Sequence, residues 1–245
     1  MCVCLSLGNM WGWYPDPQNA QLYPPLMAAW TKMQLGWVRV QPVTGNLAWY
    51  LLKSCTSDVI WEITHNMDAG EYFLLEQRYP CDFDVGLRHS NWKKDRSGLA
   101  IWHIDEASGA TQKTGDLPSV PGSQYPNHYK VALVQGDGKF NLEHRPPADP
   151  SEPNLANKGD ISDLFMNQYG IRPDKAFKID NDGTTLCDGV THHVEPNTKK
   201  YSTGTELPTG ITIMTPDILY DTWLTVTVLL DGAADQTGDV LPPAA

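Results

Sequence analysis

Catalysis or metal binding in this chain would have to draw on seven histidines, 29 acidic side chains and five cysteines. The histidines are His65, His89, His103, His128, His144, His192 and His193. A zinc hydrolase of the H-E-x-x-H type needs two imidazoles one helical turn apart and a glutamate to activate water. No two of these histidines are four residues apart and none is followed by glutamate, so that motif is absent. Nucleophile elbows, Walker loops and dinucleotide fingerprints are absent as well. His192 and His193, with Glu195 nearby, carry ligand chemistry. On a strand, however, adjacent side chains point to opposite faces, so both rings do not easily reach one ion. We read that pair as an ordinary turn or strand feature.

His103 lies in "SGLAIWHIDE", Ser97 to Glu106, at the end of an apolar run. On a strand its own face carries Ile101 and Asp105, and Trp102 and Ile104 face the other way. The expectation is a semi-buried histidine bonded to a backbone carbonyl or to an acid such as Asp105, with a metal-ligand role as the minority reading. Glu71 and Glu76 flank the apolar core of "EYFLLE", where a carboxylate must be solvated or paired. Salt bridges to Arg78 or Lys130 are expected there. Two Asp-rich turns point to a different chemistry. "KIDNDG" places Asp180 and Asp182 before Gly183, and "GDISDLF" places Asp160 close to Asp163. Calcium takes about six to eight oxygens, which such clusters can supply. Neither stretch completes an EF-hand loop, and ordinary hairpins use the same residues. Asp160, Asp163, Asp180 and Asp182 stand as candidate calcium ligands on this reading.

The elements that must position these groups are mostly strands. "YPPLMAAWTKMQLGW" is the one good helix candidate, near Pro25–Leu35. Pro25 suits the first helical position, Leu26, Trp30 and Met33 share a face, and Gly36 is a stop. The period then changes to two. "DVIWEIT" alternates, with Val59, Trp61 and Ile63 on one side. "EYFLLEQR" and "SGLAIWHID" read as strands buried on both faces, and "YKVALVQGDG" as a strand entering a turn. "TGITIMT" is a short strand. "DTWLTVTVLLDG" puts Leu224, Val226, Val228 and Leu230 on one face. Polar stretches after Glu106 and from Arg145 to Asn157 read as long loops. The fold class expected is mainly β, with antiparallel sheets in a sandwich-like arrangement, after one N-terminal helix.

Composition sets the outer limits. With 41% hydrophobic and 19% charged residues the chain is globular rather than disordered. A net charge of −11, with no basic cluster larger than "WKKDR", argues against a nucleic-acid partner, which would need a concentrated basic face. No apolar run reaches the ~18 residues of a spanning helix, and the first residues do not read as a signal peptide. Among Cys2, Cys4, Cys55, Cys81 and Cys187, one at least stays unpaired within a monomer; Cys55 with Cys81 is a candidate disulfide.

Several of these stretches, in order, resemble the immune-inhibitor-A family of secreted zinc metallopeptidases. "YPPLMAAWTKMQLGW" is similar to the helix and L-G-W segment that follows the zinc site in that family. "GEYFLLEQR" resembles its E-Y-F-L-L-E-x-R strand, and "SGLAIWHID" its G-L-L-I-W-H-x-D strand. "YKVALVQGDG" is similar to its L-V-E-A-D-G segment, with Gln135 in place of the glutamate. "GDISDLF" and "PNTKKYSTGTELPTGITI" resemble its later segments. Coverage runs from about Leu7 to Leu230. In the family the H-E-x-x-H helix precedes the segment matching Leu7–Trp13. Leu7 takes the place of the family's methionine turn, with Met10 close by.

The resemblance therefore implies the C-terminal part of a secreted, extracellular peptidase that acts on proteins or peptides. Residues 1–40 would be a remnant of the catalytic domain, 41–231 a β-rich domain and 232–245 a flexible tail. Zinc belongs to the full-length family and has no ligands or general base here, so no catalytic residue is assigned and this chain is expected to be inactive alone. The apolar N-terminal helix, with Trp11 and Trp13, would face the missing catalytic half or another protein. The competing reading is a non-catalytic β-sandwich binding or adhesion module that uses exposed aromatics.

Overall fold

The computed structural model describes residues 26–79, 81–82, 84, 98–107, 130–136, 163–165, 169–171, 176–179, 185–186, 198–202, 205–215 and 223–231. A short helix, α1 (Ala29–Gln34), is followed by β1 (Arg39–Pro42), β2 (Leu47–Leu52), β3 (Val59–Ile63), β4 (Glu71–Arg78), β5 (Gly98–Asp105) and β6 (Val131–Leu133). Next come β7 (Tyr169–Ile171), β8 (Ala176–Ile179), β9 (Thr185–Leu186), β10 (Lys200–Ser202), β11 (Thr205–Leu207), β12 (Ile211–Thr215) and β13 (Trp223–Leu230). The mainly β, sandwich-like architecture with one short N-terminal helix is the one the sequence pattern predicts.

One sheet has the order β1-β3-β4-β5-β6 and the other β2-β13-β12-β7-β8-β9, with β10 and β11 forming a separate hairpin. All neighbours are antiparallel except β1 and β3, which run parallel. The reason is the path of the chain. Between β1 and β3 it leaves the first sheet, contributes β2 to the second, and returns. The return is stitched to the first sheet where Lys53 forms a bridge with Gln77 and the Ser54 N–H donates to the Gln77 carbonyl at 2.9 Å.

Alternation along β4 and β5 creates two different faces. Phe73, Leu75, Leu99 and Ile101 point into the sandwich, against Ile213, Leu224, Val226 and Val228 of the second sheet. Tyr72, Leu74, Ala100, Trp102 and Ile104 point the other way and pack under α1. Both strands are buried along their whole length, as their near-continuous apolar runs predict. Gly98 marks a close approach: a Cβ there would lie 2.7 Å from the Leu164 Cβ and 3.1 Å from the Phe165 carbonyl oxygen. Leu99 and Phe165 exchange both backbone hydrogen bonds beside it, at 2.7 and 3.0 Å.

The helix differs from its expected form. It spans six residues and is preceded by Ala28 as N-cap, which supplies no side-chain cap. Pro25 lies outside the described residues. The deeply buried positions are Ala28, Ala29 and Lys32, with Trp30 and Met33 only partly buried beside them. Small residues let the helix sit close on the sheet, which displaces the buried stripe away from the Leu26–Trp30–Met33 face. Its end is as expected. Gly36 adopts φ +70°, its N–H donates to Met33 O at 3.0 Å, and the Trp37 N–H donates to Lys32 O at 2.9 Å. This is a Schellman termination, which needs a left-handed residue that glycine supplies without strain. β1 spans position 40, where the sequence reading places its domain boundary, so the segment joining α1 to the sandwich is itself part of a sheet.

Candidate functional site

Among the described residues, the densest polar arrangement lies between α1 and the first sheet. Glu76 and Arg78, two apart on β4, project from the helix-facing side. Lys32 on α1 reaches down so that its Nζ lies 2.5 Å from Glu76 Oε2. The other oxygen of Glu76 accepts from Trp102 Nε1 at 3.0 Å and from Arg78 Nη1 at 3.3 Å. Arg78 makes a two-pronged pair with Asp84, through Nε at 2.6 Å and Nη2 at 2.5 Å. Asp84 Oδ1 also accepts the Leu26 N–H at 3.0 Å, and Arg78 Nη2 donates to the Leu26 carbonyl at 3.0 Å. All four charged side chains are buried. Two positive and two negative charges meet in one place, and the network also takes both backbone polar groups of the residue that leads into α1.

The electrostatics follow from that arrangement. Burial opposes ionisation of Glu76, but Lys32 and then Arg78 outweigh it and hold the carboxyl below its ordinary range. Burial likewise works against the Arg78 charge, and the carboxylates of Asp84 and Glu76 more than compensate. A buried set of charges like this is expensive to desolvate and gains little net stability over apolar packing. What it adds is direction, because each bond is satisfied in one placement of the helix only.

A second cluster continues along the same face. Glu106 accepts from Trp30 Nε1 at 2.7 Å and from the Tyr72 hydroxyl at 2.9 Å, and its other oxygen pairs with Lys130 Nζ at 2.8 Å. Burial, and then the bond to Glu106, push the Tyr72 phenol well above its ordinary value. Partial burial raises the Glu106 carboxyl, but Lys130, Trp30 and Tyr72 together lower it further.

His103 belongs to the opposite face. Its Nε2 lies 2.8 Å from Glu71 Oε1, and its ring is stacked at a tilt on Phe73 with centroids 4.4 Å apart. The structural reading of this histidine expects a carboxylate partner such as Asp105; the observed carboxylate is Glu71. Asp105 sits directly opposite Glu71 across the β4–β5 pair, and its Oδ1 accepts the Ala107 N–H at 2.8 Å. His103 and Glu71 form a pairing suited to proton transfer, and each side chain is under 5% exposed. The expected acid partners are likewise redistributed. Glu76 does pair with Arg78, with Lys32 added, whereas Glu71 takes His103 and Lys130 takes Glu106.

Among the described residues, no group of three or more His, Cys, Asp or Glu side chains is placed to hold a metal ion. Of the candidate calcium ligands, Asp163 is fully buried and its carbonyl accepts the Gly136 N–H at 3.0 Å. Asp160, Asp180 and Asp182 lie outside the described residues, as do Leu7, Met10, Trp11, Trp13, His192, His193, Glu195, Cys2, Cys4, Cys187 and the tail from 232. Cys55 and Cys81 form a disulfide. No described helix is long and apolar enough to cross a membrane.

Sequence reasoning missed Lys32 and Asp84. The usable signal for Lys32 was a lone charge in "AAWTKM", opposite a strand whose Glu76 also needed a partner. Nothing in the sequence near Asp84 marks it out, because its role depends on where Leu26 lies in space. No family model matches this chain, and neither does any curated protein sequence.

Proposed function

We propose that this chain is the non-catalytic β-sandwich part of a secreted zinc metallopeptidase of the immune-inhibitor-A kind, and that its first sheet is the seat for the segment that follows the zinc helix. The observation that carries this reading is the grip on α1. Glu76, which takes Lys32 of α1, Arg78, which takes the Leu26 carbonyl before the helix, and Trp102, which donates to Glu76, all belong to the two strands that resemble the family's E-Y-F-L-L-E-x-R and G-L-L-I-W-H-x-D segments. In such an enzyme the sandwich would hold the base of the catalytic domain in one orientation. Peptide-bond hydrolysis would reside on ligands that these 245 residues do not contain, since no H-E-x-x-H is present. The Cys55–Cys81 disulfide supports an extracellular location.

Two measurements test the proposal. The gene should encode H-E-x-x-H in frame upstream of Met1; a stop codon immediately upstream would sink it. The purified 245-residue chain should show no chelator-sensitive cleavage of casein, and such cleavage would place the chemistry within these residues. A second reading, a binding or adhesion module, is favoured by Trp37 and Leu35, which are 60% and 48% exposed beside α1. Saturable glycan or protein binding that Trp37→Ala abolishes, together with an empty upstream frame, would select it.

A further inference from the structure

The Asp84 carboxylate is the joint on which the entry to α1 depends, and little regular structure holds it. β4 ends at Arg78. The Cys81 N–H donates to Tyr79 O at 2.7 Å, the Asp84 N–H donates to Cys81 O at 2.9 Å, and Asp82 adopts φ +47°. Cys81 is tied by the disulfide to Cys55, with the two Cα atoms 6.2 Å apart. Cys55 stands on firm ground. Ser54 before it is bonded to Gln77 of β4, and Thr56 and Ser57 after it both donate to the Lys53 carbonyl at 2.9 Å. Lys53 in turn places its Nζ 3.5 Å from the centroid of the Tyr79 ring. The disulfide thus connects a rigid crossing between the sheets to the turn that presents Asp84. Both cysteines are only partly buried.

We propose that the Cys55–Cys81 disulfide is a redox latch for the entry to α1: oxidised, it holds Asp84 under Arg78 and Leu26; reduced, it lets Cys81 and Asp84 move away and loosens the start of the helix segment while the sandwich stays folded. The chemistry is thiol–disulfide exchange. A dithiol attacks one sulfur, the Cys55–Cys81 bond breaks, and two electrons and two protons pass to the cysteines as the dithiol closes to its own disulfide. The energetic lever is the buried charge. Once Asp84 leaves, Arg78 keeps only Glu76 and the Leu26 carbonyl as partners, and the Leu26 amide loses its acceptor. The apolar core between the sheets shares no residue with this joint. Seating of the N-terminal segment is therefore coupled to arrival in an oxidising compartment. This inference rests on the geometry of the turn and does not depend on the peptidase reading.

Hydrogen–deuterium exchange of the full chain, oxidised and after treatment with dithiothreitol at neutral pH, reads the latch directly. Amides in residues 26–37 should exchange at least about tenfold faster after reduction, and those in β12 and β13 should keep their protection. Cys55→Ser/Cys81→Ser should match the reduced protein. Asp84→Asn should loosen 26–37 with the disulfide intact. Unchanged protection of 26–37 on reduction would overturn the proposal, because the disulfide would then not be coupled to the helix. Loss of protection everywhere at once would also overturn it, since the bond would then be a general staple. An Asp84→Asn chain with a fully protected helix would refute the route through Asp84.

Discussion

The two faces of the first sheet solve the problem of burial in different ways. Strand β4 serves both, placing Phe73 and Leu75 toward the second sheet and Glu76 and Arg78 toward α1. On the inner face the partner is a broad sheet, and apolar contact over a large area suffices. Such contact is strong and non-directional, and tolerates small shifts. On the outer face the partner is a six-residue helix with Ala29 and its N-cap Ala28 at the contact. A surface that small supplies little apolar area and would leave the helix free to slide. Four buried charges fix its position in place of area. A small element is held by specific bonds where a large one can be held by packing alone.

Removal of one charge from the outer face should have the largest effect. Arg78→Leu leaves Asp84 without its two-pronged partner and should cost about 3–5 kcal/mol. That is as much as Phe73→Ala should cost on the inner face, through the cavity it opens. Urea melts of both variants check this, and a cost below about 1 kcal/mol for Arg78→Leu would mean that the ionic face fixes nothing. The same face should be the acid-sensitive one. Glu76 has its carboxyl held below the ordinary value, so the folded state binds fewer protons than the unfolded chain at mildly acid pH. Its contribution is fully present above the ordinary carboxylate value of about 4.3 and is lost as pH falls through the depressed folded value. A Glu76→Gln chain should therefore show a shallower acid limb in its stability profile.

An intermediate effect is expected where the inner face carries its own polar pair. His103→Ala removes one partner of Glu71 and the ring stacked on Phe73, and should cost about 1–3 kcal/mol. Metal content, assayed by mass spectrometry, should be the same in wild type and variant. One zinc per wild-type chain that the variant lacks would return His103 to the list of ligands. The smallest effect is expected at an exposed pair outside both faces. Arg39 and Asp58 form a pair at 2.8 Å with most of both side chains exposed. Solvent screens such a pair, so Arg39→Ala should leave the urea midpoint unchanged. A clear shift would show that burial is not what separates the working ion pairs from the idle ones.

The legible parts of the fold are those whose pattern is long. β4, β5 and β13 span eight residues each, enough for period-two alternation or a continuous apolar run to stand out. The strands from β7 to β11 span two to four residues, too few for any period to show. The parallel pairing of β1 with β3 was hidden for another reason. It depends on β2 leaving for the other sheet, which no local pattern records. The candidate site divides in the same way. Glu76 and Arg78, two apart on one strand, could be paired by eye. Glu71 with His103, and Lys32 with Glu76, require the strand register and the helix position, which only the folded chain supplies. The exposed Trp37 was part of an apolar segment expected to seek a partner, whereas Trp30 is half-sheltered by its bond to Glu106.

The pairing of β2 with β13 also sets a timetable. The first sheet is built from residues between Arg39 and Leu133, close together in sequence. β2 must wait for β13, and the Leu230 N–H that bonds to Asn46 Oδ1 lies 184 residues further along. At a ribosomal rate of roughly 5–20 residues per second, that wait lasts on the order of 10–40 s. From their synthesis until β12 and β13 follow, Phe73, Leu75, Leu99 and Ile101 lack most of the second sheet that covers them. The nascent chain is thus a half-finished sandwich with its greasiest surface open, and a chaperone that shields this one face would protect the protein at its most vulnerable moment.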